Sequence, residues 1–146
     1  MKKLSPLLIF LFLSLPLFAT ALASGDLDDF VGNLNVQAGA SLGTFKLRLS
    51  AQFGVPVPRI DDLMVRVAVP GDLYMCLRIG QVASLPIDAV LREYQASRGK
   101  GWGTIAKNLG IKPGSREFHA LKAGGLGGGD DSGPSRGKGK GRGRGR

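Results

Sequence analysis

The cations at the end of the chain alternate with glycine, in the manner of a segment that binds polyanions. No acidic residue interrupts them, and they are Arg136, Lys138, Lys140, Arg142, Arg144 and Arg146. In an extended backbone they would lie roughly 7 Å apart, so they can follow phosphates or carboxylates without a fixed shape. The pattern predicts binding to an anionic lipid, lipopolysaccharide or glycan. The alternative is a solubilising tail with no specific partner.

A lone tryptophan lies among glycines, and two interpretations of it are open. The sequence around Trp102 is Gly-Lys-Gly-Trp-Gly over residues 99–103. Glycines beside an indole can leave a ring face open, on which a ligand such as a sugar could stack. Trp102 also shares a helical apolar face with Ile105 and Leu109, which favours a role as a core anchor.

Residues 104–121 resemble a helix-turn-helix in the spacing of their first helix and turn. The turn at 112–114 is longer than that motif uses, and Arg116 and Glu117 stand where the second helix normally has an apolar residue. The basic residues that would face a phosphate backbone are Lys107, Lys112, Arg116 and Lys122. The segment predicts a nucleic-acid-binding protein only as an alternative, because the Arg/Gly tail has no aromatic residue for base stacking. A helical pair that packs its own core is favoured.

The residue types needed for catalysis are sparse and scattered. His119 is the only histidine and Cys76 the only cysteine, so no metal site with several histidines and no intrachain disulfide can form. Cys76 lies in an apolar stretch and is predicted to be a buried free thiol. The sequence therefore predicts no catalytic residues, no metal ligands and no cofactor, and the protein is expected not to be an enzyme.

The N-terminus has the three parts of a secretory signal peptide. Lys2 and Lys3 precede an apolar run at 7–18, and Ala-Leu-Ala at 21–23 places small residues where signal peptidase reads them. The prediction is a signal peptide over 1–23 and no transmembrane span in the mature chain. An uncleaved membrane anchor is the alternative. The formal net charge is +9, and removal of Lys2 and Lys3 would leave a basic chain.

Between the signal and the tail lies one predicted domain, residues 24–122, long enough to bury its own core. Apolar residues recur at helical spacing between Pro/Gly turns, which predicts an all-α fold of about five or six short helices. Ser41 is a predicted N-cap and Gly54 a predicted stop for a helix over 42–53. Residues 33–40 are expected to be extended, and an α+β fold with a hairpin near 34–49 is the alternative. The glycine-dominated tail, 123–146, is expected to be disordered.

A resemblance adds to this pattern. Residues 100–122 read KGWGTIAKNLGIKPGSREFHALK, and this segment is similar to one in a group of small exported bacterial proteins of uncharacterised function. Residues 53–56 and the region of Tyr94 resemble that group too, so the likeness covers most of 42–122 but not the tail. It implies an exported, mainly helical bacterial domain, located in the periplasm or secreted. It implies no activity, and oligomeric state is left open.

Overall fold

The computed structural model describes residues 21–126 of the 146-residue chain. The all-α prediction is confirmed: every regular element in this part of the chain is a helix. The number predicted, five or six, is too low, because the described residues form seven helices. These are α1 (Ala21–Ala40), α2 (Leu42–Phe53), α3 (Val57–Val67), α4 (Pro70–Ala83), α5 (Ile87–Ala96), α6 (Trp102–Asn108) and α7 (Arg116–Ala120).

Helix α4 is the centre of the domain, and it contacts α1, α2, α3, α5 and α7. Its sequence is apolar on nearly every side, and the five consecutive residues from Leu73 to Leu77 are all buried. A helix that is hydrophobic all round must be enclosed by other elements. The amphipathic helices around α4 each turn one apolar face towards it, and this arrangement leaves their polar faces in water.

Residues 33–40, predicted to be extended, are instead the second half of α1. Leu27, Val31, Leu34 and Ala38 form one buried stripe along this helix, while Val36 is 75% exposed. Their spacing is that of a helical face, whereas in a strand residues 34, 36 and 38 would all point to the same side. The prediction of an extended segment was wrong because glycine and asparagine residues lie between the apolar residues of α1 and obscure their helical spacing.

The hairpin alternative over 34–49 is wrong for a related reason. Phe45 and Leu49 are buried, but Leu47, between them, is 63% exposed. In a strand these three side chains would share one face, whereas on a helix the residue between two neighbours of spacing four points away from them. Helix α2 therefore uses the period of 3.6 residues, and Leu47 lies on its solvent side.

The predicted ends of α2 are confirmed. The Ser41 Oγ accepts a hydrogen bond from the Thr44 N–H at 3.4 Å, and Gly54 adopts the left-handed conformation with φ of 66°. Ser115 caps α7 in the same way, because its Oγ accepts from the Phe118 N–H at 3.1 Å. Local capping signals thus set both ends of α2, as predicted, and the start of α7.

Helices α1 and α4 approach each other very closely at Gly71. A Cβ placed on Gly71 would lie 2.7 Å from the Val31 carbonyl oxygen and 2.7 Å from the Asn35 Oδ1. The same Asn35 Oδ1 accepts a hydrogen bond of 2.7 Å from the Gly71 N–H. The glycine is therefore needed for packing, since any side chain here would push the two helices apart.

The packed domain continues past the predicted boundary at Lys122. Leu126 is 3% exposed and belongs to the hydrophobic core. Residues 127–146, most of the segment predicted to be disordered, lie outside the described residues, as does nearly all of the predicted signal peptide. None of the helices between Ala21 and Leu126 combines the length and the hydropathy that a membrane crossing needs.

Candidate functional site

An open cleft of about 560 Å³ lies where the start of α4 meets the end of α5 and the start of α6. Its lining combines two carboxylates, two cations and two aromatic rings. These side chains are Asp28, Asp72, Tyr94, Arg98, Lys100 and Trp102. The cleft therefore contains the tryptophan and the glycine-flanked turn that the sequence singles out, together with partners from α1 and α4.

The Asp72 carboxylate organises the floor of the cleft. Its Oδ2 accepts a hydrogen bond of 2.6 Å from the Tyr94 hydroxyl, and its Oδ1 accepts one of 3.3 Å from the Trp102 Nε1–H. The two rings stack at 5.5 Å between centroids with 14° between their planes. Asp72 lies in the first turn of α4, where the helix dipole also favours a negative charge. One carboxylate thus fixes both aromatic side chains.

Asp28 supplies the cap that α6 lacks. The N-cap of α6 is Gly101, which has no side chain, and the Asp28 Oδ1 accepts a hydrogen bond of 3.0 Å from the Trp102 N–H. A Cβ on Gly101 would lie 3.1 Å from the Asp28 Oδ2, and the φ of Gly101 is +82°. Both the backbone conformation and the close approach require glycine, so this glycine positions the tryptophan rather than exposing it.

Two cations line the cleft where it opens to water. The Arg98 guanidinium lies over the Tyr94 ring at 5.3 Å from its centroid, and its Nη2 is 3.4 Å from the Tyr94 hydroxyl and 3.4 Å from the Val67 carbonyl oxygen. Burial, and then the hydrogen bond to Asp72, raise the pKa of Tyr94. The phenol is therefore neutral and donates a proton in a hydrogen bond. The cleft therefore presents the charges of Arg98 and Lys100 beside the carboxylates of Asp28 and Asp72.

The prediction that Trp102 is a core anchor is confirmed. The residue is 5% exposed, and one face of its indole is covered by Tyr94. Trp102 is nevertheless one of the residues that line the cleft. Ligand stacking on Trp102 stays a prediction, and it would require movement of the Tyr94 ring or contact at the remaining edge.

The six tail cations predicted to bind polyanions, Arg136, Lys138, Lys140, Arg142, Arg144 and Arg146, lie outside the described residues. The helix-turn-helix-like segment lies inside them. Its second helix, α7, has only five residues, and Phe118 on that helix is buried against the core. Lys107, Lys112 and Arg116 are exposed, whereas the Lys122 Nζ pairs with the Asp26 carboxylate. The favoured interpretation, a helical pair that packs its own core, describes this arrangement.

The two groups that could act as a nucleophile or a base, Cys76 and His119, do not line the cleft. Cys76 is a free cysteine, 0% exposed, on the core side of α4. Burial raises the pKa of the Cys76 thiol well above its ordinary value, and the nearby Asp72 charge adds to this. The thiol is therefore protonated and unreactive, as the prediction of a buried thiol requires. His119 is exposed on α7.

A second arrangement of polar side chains holds the end of the described chain. We call residues 123–126 the strap. Four side chains donate one hydrogen bond each to its carbonyl oxygens: Arg48 Nη1 to Leu126 at 3.0 Å, Gln52 Nε2 to Gly124 at 2.8 Å, the Tyr74 hydroxyl to Gly124 at 3.2 Å and Arg78 Nη2 to Ala123 at 2.7 Å. Arg78 also donates twice to the Ala120 carbonyl. The four donors come from α2 and α4 and form what we call the strap groove.

The strap is held by a small net free energy. Burial of Leu126 contributes about 2 kcal/mol, and four hydrogen bonds contribute about 4 kcal/mol together. Ordering four backbone residues, two of them glycine, costs about 6 kcal/mol. The two sides nearly cancel, so we expect the strap to contribute little to the free energy of unfolding and to detach more readily than the helices do.

Sequence reasoning missed Asp28, Asp72 and Arg98 as cleft residues. For Asp72 a local signal exists, because Pro-Gly-Asp at 70–72 starts a helix with a carboxylate in its first turn. The pairing of Asp28 with the turn before Trp102 joins residues 74 positions apart, and no local pattern records it. The strap was missed because a single leucine among glycines has no periodicity to detect.

Within residues 21–126, no group of three or more His, Cys, Asp or Glu side chains is placed to hold a metal ion. In comparisons with known proteins, no family model, no curated protein and no solved structure matches this chain.

Proposed function

We propose that this chain is an exported bacterial protein without catalytic activity, whose basic tail attaches the helical domain to an anionic component of the envelope. The observation that carries the proposal is the concentration of charge. Residues 136–146 contain six cations and no acid, whereas the three ion pairs recorded within the described domain neutralise Lys46, Arg66 and Lys122. The densest uncompensated charge in the chain is therefore in its last residues.

The anchored strap supports a binding role for that tail. Because Arg48, Gln52 and Arg78 hold residues 123–126 against α2 and α4, the tail starts at a defined place on the domain. Each cation near an anionic surface contributes about 1 kcal/mol before screening. Six such residues suffice for reversible attachment, and screening over about 8 Å at physiological salt makes it dependent on ionic strength.

Two observations favour binding over catalysis. Both oxygens of the Asp72 carboxylate are engaged by Tyr94 and Trp102, so this group is used to fix the cleft. The Cys76 thiol is fully buried. Export is supported by the signal-like pattern of residues 1–23.

The binding test uses the chain from Ser24 with its full tail. Sedimentation with phosphatidylglycerol vesicles and with lipopolysaccharide should show binding that falls steeply as salt rises, and neutral phosphatidylcholine vesicles should bind little. Replacing the six tail cations by glutamine should abolish binding. The matched control replaces the four tail arginines by lysine, which keeps the charge and should keep the binding.

Salt-insensitive binding that survives the glutamine replacements would overturn the proposal. Binding to duplex DNA with a preference over both anionic envelope components would instead favour the nucleic-acid alternative. Fractionation of producing cells tests the location, because export predicts a periplasmic or secreted chain whose intact mass begins at Ser24. A cytoplasmic chain beginning at Met1 would contradict it.

A further inference from the structure

The donors of the strap groove recognise a polypeptide backbone rather than a particular sequence. Arg48, Gln52, Tyr74 and Arg78 each donate to a main-chain carbonyl oxygen of the strap. Only one strap side chain contributes a large apolar contact, Leu126, which is 3% exposed. These are the elements of a peptide-binding site: backbone donors in a row and one apolar socket.

The backbone conformation of the strap and its contact with Phe30 limit which residues can precede the apolar one. Gly125 lies against the Phe30 ring, and a Cβ on Gly125 would meet the Phe30 Cε2 at 3.5 Å, which is ordinary van der Waals contact. Gly124 has a φ of +86°, a conformation that side chains rarely adopt. A ligand with the backbone conformation of the strap therefore has glycine at the position of Gly124, a residue as small as alanine or glycine at the position of Gly125, and an aliphatic residue after them.

The end of the groove carries a cation that the strap does not neutralise. The Arg48 Nη1 donates to the Leu126 carbonyl oxygen at 3.0 Å, and in the described part of the chain no carboxylate forms an ion pair with Arg48. If the aliphatic residue were the last of its chain, a carboxylate would stand in place of this carbonyl. The bond to Arg48 would then be charge-assisted and about twice as strong.

We propose that the strap groove is a binding site for the free C-terminus of a partner polypeptide that ends in glycine, a small residue and an aliphatic residue, and that the strap occupies this site in the absence of the partner. The partner's terminal carboxylate pairs with Arg48, its aliphatic side chain takes the socket of Leu126, and Gln52, Tyr74 and Arg78 hold its backbone. The strap is displaced because it binds the same donors without a negative charge.

The first experiment measures fluorescence anisotropy of a labelled peptide, Lys-Ala-Gly-Gly-Leu with a free carboxylate, titrated with the full chain carrying Leu126→Ala. This variant removes the competing side chain, so it should bind the peptide more tightly than the unmodified chain. Amidation of the peptide C-terminus should weaken binding about tenfold, because a charge-assisted bond becomes a neutral one. A peptide ending in Gly-Gly-Ala should bind more weakly than the leucine peptide.

A second variant tests the residue that reads the carboxylate. Arg48→Gln combined with Leu126→Ala should bind the free-acid and amidated peptides equally. The matched control is Arg59→Met in the Leu126→Ala background, because Arg59 is an exposed arginine on α3, and it should keep the preference for the free acid. Equal affinity of both peptides for the chain with only Leu126→Ala would overturn the proposal, as would absence of binding when its helical circular dichroism is intact.

The unmodified chain gives an independent readout should Leu126→Ala fail to fold. Saturating free-acid peptide should increase the rate of proteolytic cutting within residues 123–126, because the strap has left the groove. The amidated peptide should increase it less. An unchanged cutting rate at saturation would also overturn the proposal.

Discussion

The cleft and the strap groove are both built from polar side chains, but they use them in opposite ways. In the cleft, Asp72 binds Tyr94 and Trp102, so side chains hold side chains and one geometry results. In the strap groove, side chains hold backbone carbonyls, which every residue possesses. The geometry of the cleft therefore depends on the identity of its side chains, whereas the donors of the groove bind a backbone without regard to its side chains.

The largest effect should come from the backbone contact beside the cleft. Gly71→Ala places a Cβ 2.7 Å from the Val31 carbonyl oxygen, so α1 must move away from α4, and we expect a loss of about 3 kcal/mol in the free energy of unfolding. Chemical denaturation measures it. The control Gly43→Ala, in α2 with nothing within 4 Å of its Cβ, should stabilise by about 0.5 kcal/mol. Equal effects of the two variants would contradict the close packing of α1 on α4.

Removal of the carboxylate that organises the cleft should be next. Asp72→Ala leaves the Tyr94 hydroxyl and the Trp102 Nε1–H without their acceptor, and we expect a loss of about 2 kcal/mol because water can reach the open cleft and partly replace it. The near-ultraviolet circular dichroism of the stacked rings should fall as well. Asp62→Ala, an exposed aspartate of α3, is the control and should change stability by less than about 0.5 kcal/mol. A fully retained aromatic signal in Asp72→Ala would show that the carboxylate does not fix the rings.

The strap should be less costly to break than its burial suggests. Leu126 is 3% exposed, and a leucine at such a site elsewhere in a core would lose at least 2 kcal/mol on truncation. For Leu126→Ala we expect about 1 kcal/mol, because the strap leaves the groove and recovers its backbone entropy. Hydrogen exchange in residues 123–126 should accelerate while exchange in α4 stays slow. A loss as large as that of Gly71→Ala would make the strap part of the rigid core and end the contrast between the two regions.

The smallest effect should come from acid, which weakens a contact between α5 and α6 but leaves the hydrogen bonds of the strap unchanged. The Glu93 Oε1 accepts from the Ser97 hydroxyl at 2.6 Å and from the Asn108 Nδ2 at 2.7 Å, joining α5 to α6, and these hydrogen bonds lower the pKa of Glu93, that to Ser97 most. A lowered folded-state pKa gives a contribution that is present above the ordinary carboxyl pKa and lost as pH falls through the folded-state pKa. The melting temperature should therefore fall slightly on acidification.

The matched variant for the acid experiment is Glu93→Gln, which keeps an acceptor but cannot titrate. It should lose part of the acid dependence of the melting temperature. The hydrogen bonds of the strap end on carbonyl oxygens, which do not titrate in this range, so exchange in residues 123–126 should not follow the same pH curve. Identical acid profiles for the unmodified chain and Glu93→Gln would contradict the role of this carboxylate.

The sequence predicted those features of the fold that depend on neighbouring residues, such as helix ends. Ser41 and Gly54 set the ends of α2 as predicted, and Ile60, Leu63 and Val67, which lie at helical spacing, form the buried face of α3. Prediction failed in α1, whose buried stripe is diluted by polar residues and glycine. The sequence also did not predict the left-handed conformation of Ala68 and Ser84, the residues that follow α3 and α4, because neither of them is a glycine.

The candidate sites depend on contacts that no short segment encodes. Trp102 could be recognised from its glycines, and the sequence favoured its burial, which the structure confirms. Its acceptors Asp28 and Asp72 come from α1 and α4, and only the packed core brings them to the same place. The strap depends on donors from α2 and α4 acting on a segment that has no helical or strand pattern of its own.

The two ends of the described chain meet, and this sets the order of events during synthesis. The Asp26 carboxylate pairs with Lys122, and Gly125 lies against Phe30, so native contacts join the first and last parts of the domain. Contacts of such long sequence separation form only after the intervening chain is available. The ribosome must therefore release the chain through Lys122 before these contacts can form and complete the core.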